Sequence, residues 1–270
     1  MRNTKQGFTL IELLVVISII GLLSGIVLVS YEGQTERAEL SNAMQWASGV
    51  KSALGAYAVG IWRLDSVNGG ITPDGSGNGN NGTVVGATLV EGLISNALDF
   101  DGNDYVSHTT TGIDPRNGTL EAWVKPDVAY PWGLWQTHDA SGWNWADWIS
   151  MFMYGSGRFY FRMGNGSSCC NNDVTFLYNG IVEPGKWMHL AFTWGGTTMK
   201  AYVNGEVVAQ RTNAIFQDNV DAGARIGQGL SIGMNGIIDD LKIYTEPLST
   251  IVIQQLYTEG LKKHDSLAQK

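Results

Sequence analysis

Charge is scarce in this sequence: Asp, Glu, Lys and Arg together make up 16% of its 270 residues, while glycine supplies 35 and tryptophan 10. Low charge with many glycines and aromatics points to loop-rich β structure rather than to a helical protein. The charge that is present leans negative, at a formal −8. The surface therefore lacks the excess Lys and Arg that a nucleic-acid partner requires. Cysteine is nearly absent. The two present, Cys169 and Cys170, are adjacent and cannot staple distant strands. They also lack the intervening residues of a usual zinc-ligand pair. A vicinal disulfide and two ordinary loop thiols both stand as readings. A chain that is 44% hydrophobic can still bury a large core, in one big domain or two small ones.

Lys and Arg are missing altogether between Lys5 and Arg37, and from Phe8 to Val29 Glu12 is the only charge. At about 1.5 Å per residue this apolar run is long enough to cross a bilayer core of about 30 Å. Arg2 and Lys5 precede it, which places the N-terminus in the cytoplasm and the remainder outside. A secretory signal peptide would be cut after its apolar run. Here Ser24-Gly25 is followed by Ile26-Val27-Leu28-Val29, which is no clean cleavage context. The better processing mark lies before the run, where Gly7 is followed by Phe8-Thr9-Leu10-Ile11-Glu12.

That segment resembles the class III leader of type IV prepilins and pseudopilins. The resemblance covers about the first thirty residues. It implies that a membrane aspartyl prepilin peptidase cuts between Gly7 and Phe8 and methylates the new amine of Phe8. It also implies that Glu12 pairs with a Phe8 amine, on a neighbouring subunit or on its own chain, during assembly into an extracellular filament. The physics agrees, because an ionisable group in a membrane span is costly unless partnered. The implied partners are identical or related pilin subunits, the peptidase and an inner-membrane assembly platform. Gly21 and Gly25 each cost the helix about 1 kcal/mol relative to alanine, and Gly21 matches the pilin position where the helix can unwind. Val29 stands where pilins often carry a helix-bending proline.

Beyond Tyr31 the apolar positions Leu40, Ala43, Ala47, Val50, Leu54 and Tyr57 recur at three- and four-residue steps, the mark of an amphipathic helix. One helix over residues 8–58 would be roughly 75 Å long. Residues 8–29 would sit in the membrane or filament core, and residues 30–58 would pack against a head.

From residue 59 short alternating segments replace the helical period, among them Thr119–Val124, Arg158–Met163 and Met188–Trp194. Period-two alternation at close spacing reads as an antiparallel sandwich. Asn204-Gly205 lies between Met199–Val203 and Glu206–Val208, which predicts a hairpin with a type I′ turn. Ser249 is placed to cap a short helix running through Tyr257, with Gly260 as its stop. The ordered stretches Trp62–Asp65, Asp74–Gly82, Ala97–Gly102, Gly185–Ala191 and Ile238–Tyr244 resemble the LamG-like jelly roll of the concanavalin A-like superfamily. The expected fold is therefore α+β: a long N-terminal pilin-type helix, then an antiparallel β-sandwich jelly roll with a short C-terminal helix. The expected divisions are a leader at 1–7, the helix at 8–58, the jelly roll at 59–260 and a tail at 261–270.

Catalytic motifs are another absence. Glycosidases need two converging carboxylates, and those of the concanavalin A-like fold usually carry Glu-x-Asp-x-x-Glu on one strand. Glu121 is followed by Ala122 and Trp123, and His108, His138, His189 and His264 are scattered without a motif partner. No enzyme activity is expected. The jelly-roll resemblance implies a Ca²⁺ ion held by acids near the first strand and in the last, which match Asp65 and the Asp239-Asp240 pair. The loop through Asn81 is expected to add carbonyl oxygens. Asp239 alternates with Ile237 and Leu241, putting an acid on an apolar face that needs a partner. Tryptophans offer flat faces to sugar rings, so Trp132, Trp135, Trp143 and Trp145 are candidates for a glycan or surface ligand, with Trp148 expected in the core. The function expected is a type IV pilin-like filament subunit whose head serves adhesion. A minor pilin, a type II secretion pseudopilin and a membrane-anchored lectin are the alternatives.

Overall fold

The structure, a computed structural model, describes Gly49 and residues 54–138, 148–155, 157–164, 172–177, 183–230 and 232–268, without the side chains of 138, 172, 177 and 265–268. The chain divides into two compact units, Met1–Leu54 and Gly55–Lys270, and the description that follows is of the second. Gly7, Phe8, Glu12, most of the 8–58 helix, Trp143, Trp145 and Cys169-Cys170 lie outside the described residues.

Two antiparallel sheets make up the head. The first runs β14 (Glu206–Arg211), β13 (Thr198–Val203), β12 (Met188–Gly195), β7 (Gly118–Pro126), β18 (Asn235–Tyr244), β5 (Asn96–Asp101) and β4 (Thr88–Glu91), with β1 (Ala58–Trp62) also paired to β18. The second runs β11 (Asn172–Leu177), β10 (Arg158–Met163), β9 (Ile149–Tyr154), β8 (Trp132–His138), β15 (Gly223–Ile226), β6 (Tyr105–Thr109), β3 (Gly82–Val85) and β2 (Ile71–Thr72). A two-stranded ribbon, β16 (Gln228–Gly229) with β17 (Ile232–Gly233), completes the set. Neighbours such as β7 and β18, far apart in sequence, give the jelly-roll crossing of the chain between sheets.

Alternation decides which face of each strand is buried. In β10, Phe159, Phe161 and Met163 are buried while Arg158, Tyr160 and Arg162 are half exposed. Phe192 of β12 meets Phe159 and Phe161 of β10 across the sandwich, at 5.3 Å between ring centroids in each case. Such aromatic pairs add about 1 kcal/mol beyond the area they bury.

The hairpin forms as its sequence predicts, with Asn204 and Gly205 at φ of 50° and 81° between β13 and β14. The C-terminal helix α1 (Thr250–Ala268) is longer than predicted. Ser249 does sit before its first turn, accepting the Val252 amide at 3.4 Å on its hydroxyl. Gly260, predicted to end the helix, lies inside it, and α1 continues through the segment expected to be a tail. The glycine serves packing instead, since a Cβ there would fall 2.6 Å from the Trp123 ring.

Strand β18 departs from the strict alternation its sequence predicts. Its pairing with β7 slips between Asp239 and Lys242: three steps on β18 match two on β7. One residue is extra, which is a bulge, and a bulge reverses the inside–outside phase. Ile238 faces the core before it, and Leu241 and Ile243 face the core after it. Asp239 therefore does not share the apolar face of Leu241.

Candidate functional site

The bulge of β18 carries two neighbouring acids that find different partners. Asp239 is 1% exposed, and its Oδ2 accepts the amides of Leu93 and Ile94 at 3.0 and 2.9 Å. Its Oδ1 is buried with no hydrogen-bond partner, a state that costs on the order of 1–3 kcal/mol or more. Burial, reinforced by the charges of Asp240 and Asp65, pushes its pKa up from 3.8 to about 7, against the pull of the two amides. Asp65 accepts the Asn96 amide at 3.2 Å, and Asn96 Nδ2 donates to the Asp65 carbonyl at 3.1 Å. Three non-glycine residues around these groups have left-handed backbones: Leu64 at φ 60°, Ser95 at 69° and Asp240 at 50°. Such conformations cost on the order of 1 kcal/mol each and gather where function demands a fixed geometry.

Calcium can be tested against this donor set. Among the described residues, no three His, Cys, Asp or Glu side chains are grouped closely enough to hold a metal by themselves. A cation here would therefore draw on carbonyl oxygens as well as carboxylates, which is the mixture calcium takes. The orphaned Oδ1 and the raised pKa of Asp239 are what a buried carboxylate shows when a positive charge would relieve it, and on that ground the residues fit.

Asp240 enters a different network. Its Oδ2 takes the Lys242 ammonium at 2.8 Å, and the same ammonium reaches Glu121 Oε1 at 3.0 Å. Tyr244 donates its hydroxyl to Glu121 Oε1 at 3.1 Å, and His189 Nε2 lies 3.0 Å from Glu121 Oε2. An ionised carboxylate only accepts, so Nε2 carries the proton of that bond. Burial alone would raise the pKa of Glu121, but the Lys242 charge and the His189 hydrogen bond outweigh it and hold the carboxyl at about 2. Burial would lower Lys242, yet Glu121 and Asp240 leave it well above its ordinary value. Trp123 packs on His189 at 5.2 Å and on Tyr257 of α1 at 5.7 Å, so the network is roofed by the C-terminal helix.

The second sheet encloses another buried histidine. Trp135 Nε1 donates to His108 Nε2 at 2.9 Å, while His108 Nδ1 lies 2.8 Å from the Thr109 carbonyl. Burial pushes His108 down to about 4, despite the backbone bond that favours its charged form. The loop through Asn81 is held by Asp74, whose carboxylate accepts amides of Ile61, Ser76 and Asn80. Burial raises Asp74, but those bonds prevail and keep it below its ordinary value. Asn78 and Asn80 of this loop donate to the carbonyls of Ala58 and Val59, which ties the loop to the start of β1.

Residues 100–254 match the concanavalin A-like lectin/glucanases superfamily, and residues 2–28 match the prokaryotic N-terminal methylation motif. The first match takes in more than half of the sequence. The chain belongs to the concanavalin A-like lectin/glucanases superfamily, behind a type IV pilin N-terminus. Fimbrial protein EcpC of Eikenella corrodens is 36% identical over 104 residues, 38% of this chain and 68% of that protein. The type IV major pilin protein PilE of Neisseria gonorrhoeae is 41% identical over 78 residues, 28% of this chain and 47% of PilE. The chain thus spans about half the length of PilE. Domain 4 of AbnA, a GH43 extracellular arabinanase from Geobacillus stearothermophilus, solved with arabinotriose, superposes at a TM-score of 0.61 with 20% identity, covering 74% of this chain and 98% of that one. The ligand-binding domain of botulinum neurotoxin serotype D, solved with N-acetylneuraminic acid, superposes at 0.57 with 16% identity, covering 77% and 52%. At these identities the likeness is one of fold.

On this lectin-like head the two tryptophans of β8 are not surface platforms. Trp132 and Trp135 are 0% and 1% exposed, so neither offers a face to a ligand. Both sit in β8 and fill the sandwich core, because a bulge between Gly133 and Trp135 in the pairing with β9 brings two positions an odd number of residues apart onto the inward face. Trp148 is buried as expected. The lectin-like fold also joins His189 to Glu121, residues 68 positions apart, which no local motif signals. The outward alternation of Thr119, Glu121 and Trp123 beside His189 on the facing strand was the available clue.

Proposed function

We propose that this protein is a pilin-type structural subunit that carries a lectin-like head for adhesion or surface recognition. The observation that carries the reading is the union, in one chain, of a methylation motif over residues 2–28 and a lectin-like domain over residues 100–254. The apolar run at residues 8–29 anchors the precursor in the cytoplasmic membrane with its N-terminus inside. Prepilin peptidase then cuts after Gly7 and methylates Phe8. An inner-membrane platform adds the mature chain to identical or related subunits, with Glu12 paired to a Phe8 amine. Among the described residues no helix is long and apolar enough to cross a membrane, and the proposed span lies outside them.

Sequencing the N-terminus of the mature chain, with immunogold imaging of filaments, tests the proposal. The expected results are a methylated Phe8 and labelled filaments, lost in Glu12→Val although cleavage continues. Label along the whole filament identifies a major subunit, and label at tips identifies a minor one. An intact leader in the surface-exposed protein would refute both and leave a membrane-anchored lectin.

For the head we propose binding rather than hydrolysis. Glu121 is 1% exposed and committed to His189, Lys242 and Tyr244, so it is no general acid for a glycosidic bond. Asp239, Asp65 and Asp240 are proposed to hold Ca²⁺, with carbonyl oxygens completing the shell. The ion would supply the positive charge that Asp239 lacks, with Asp240 shared between the ion and Lys242. Calorimetric titration with Ca²⁺ checks this, and the absence of both heat and thermal shift would remove it. Glycans are the proposed ligand class, in keeping with the fold of domains solved with arabinotriose and with N-acetylneuraminic acid.

A further inference from the structure

The outer face of β9, β10 and β11 departs from the polar pattern of a solvated sheet. Residues directly opposite on antiparallel strands share a face. Met151, Phe161 and Val174 form one such rung and Met153, Phe159 and Phe176 another, all in the core. The outward rungs are therefore Ser150–Arg162–Asp173, Phe152–Tyr160–Thr175 and Tyr154–Arg158.

The first two outward rungs form a closed block. Phe152 is 1% exposed although it points away from the core. Tyr160 stacks on it at 5.1 Å and 9°, and the Arg162 guanidinium lies over both rings, at 5.5 and 5.1 Å. Arg162 is fixed in turn by Asp173 through Nε–Oδ1 at 2.8 Å and a second bond at 2.7 Å. This is how the face neutralises an arginine for purely structural ends: a bidentate carboxylate.

Arg158, two residues back on the same face, is handled differently. It is half buried, and its guanidinium donates to Thr175 Oγ1 at 3.0 Å. Among the described residues no carboxylate pairs with it, in a sequence where Asp and Glu outnumber Lys and Arg by 25 to 17. Directly opposite stands Tyr154, 53% exposed. The guanidinium is drawn toward β11 by Thr175 while the exposed ring stands on β9, so the cation and the ring flank β10 on one outward face, a complementary surface for a particular chemistry. The ring takes the apolar C–H face of a pyranose, and the planar guanidinium takes a carboxylate in two parallel bonds.

We propose that Tyr154 and Arg158 bind an acidic sugar, a pyranose bearing a carboxylate, with the Phe152–Tyr160–Arg162 block as its rigid support. The site rests on the reading of the head as glycan-binding and names the ligand within that reading. It also relocates recognition from the buried tryptophans of β8 to the outward face of β9 and β10.

Isothermal titration of the full-length chain in detergent, with sialyllactose and trigalacturonate against the neutral lactose and galactotriose, tests it. A charge-assisted hydrogen bond is worth enough that the acidic probes should bind at least about tenfold tighter than their neutral counterparts. Arg158→Ala should abolish that preference, Arg158→Lys should keep part of it, and Tyr154→Ala should weaken both classes. Added salt should weaken the acidic probes selectively. Equal binding of acidic and neutral probes, or acidic binding untouched by Arg158→Ala, overturns the site while leaving a glycan-binding head intact. No binding of any probe, together with silence on a broad glycan array, removes the glycan reading itself and this site with it.

Discussion

Asp239 and Asp240 are adjacent in β18 yet answer to different partners: Asp239 accepts the Leu93 and Ile94 amides, and Asp240 pairs with Lys242 at 2.8 Å. The bulge leaves both on the outward side of the strand, where Asp240 is neutralised by a lysine and Asp239 is not. The pKa of Asp239, raised from 3.8 to about 7, favours its protonated form in the folded state. Its contribution to stability is present below pH 3.8 and lost as pH rises through about 7, by on the order of 4 kcal/mol. A bound cation reverses this, because it prefers the ionised carboxylate. In chelator, thermal melts should show Asp239→Asn to be more stable than wild type at pH 8. Ca²⁺ should raise the wild-type melting temperature more at pH 8 than at pH 5, and should not move Asp239→Asn. An equal Ca²⁺ shift in that variant would disconnect Asp239 from the ion.

Acid should act through His108. Its pKa is lowered from 6.5 to about 4, so the unfolded chain takes up a proton that the folded chain refuses. Stability is lost as pH falls from 6.5 to about 4, by on the order of 3 kcal/mol. Protonation also ends the bond that His108 Nε2 accepts from Trp135. Over this window Asp239, free of any cation, changes stability in the opposite sense, so the wild-type profile in chelator should be nearly flat. Urea unfolding of Asp239→Asn should expose the slope, with stability falling from pH 6.5 to 4. A flat profile in that variant would contradict the buried neutral imidazole.

Gly260 tests how closely α1 approaches the sheet. Alanine favours a helix over glycine by about 1 kcal/mol, so on propensity alone Gly260→Ala would stabilise. Its Cβ, however, would lie 2.6 Å from the Trp123 ring, and overpacking costs typically about 1–3 kcal/mol. The variant should be less stable in urea, and Trp123→Phe should recover part of the loss by opening space. A plain gain in stability would mean that the helix sits further from the sheet.

The same glycine illustrates what the sequence could and could not convey. Strands such as Arg158–Met163 and the Asn204-Gly205 turn are local patterns, with period and turn chemistry contained within a few residues, and they appear where expected. Gly260 reads locally as a helix stop because its reason for being there, Trp123, is 137 positions away. Trp132 and Trp135 read as loop platforms because the glycines and acids around them resemble a loop, whereas β8 pairs with β9 and β15 to bury both. The phase of Asp239 was misread for a related reason: a bulge is a property of two strands, and only one of them is visible at a time. Asp65 and Asp239 enter as proposed ligands through the family resemblance rather than from spacing, and the Glu121–His189 pair is signalled by neither.

Lys242 offers a direct measure of the buried network. Its ammonium lies between Glu121 Oε1 at 3.0 Å and Asp240 Oδ2 at 2.8 Å. Lys242→Met keeps much of the side-chain volume but strands Glu121, a carboxyl 1% exposed, beside another acid. Removing one partner of a buried ion pair typically costs about 3–5 kcal/mol, because a charge is left uncompensated. Glu121→Gln should cost less, since the amide can still accept from His189 or Tyr244. In the double variant Lys242→Met/Glu121→Gln the uncompensated charge is gone, so the double should be more stable than Lys242→Met alone. A double-mutant cycle from urea unfolding should therefore give a coupling of about 1–3 kcal/mol. Strict additivity would mean that Glu121 is held down by something other than Lys242, and would undo the account of its low pKa.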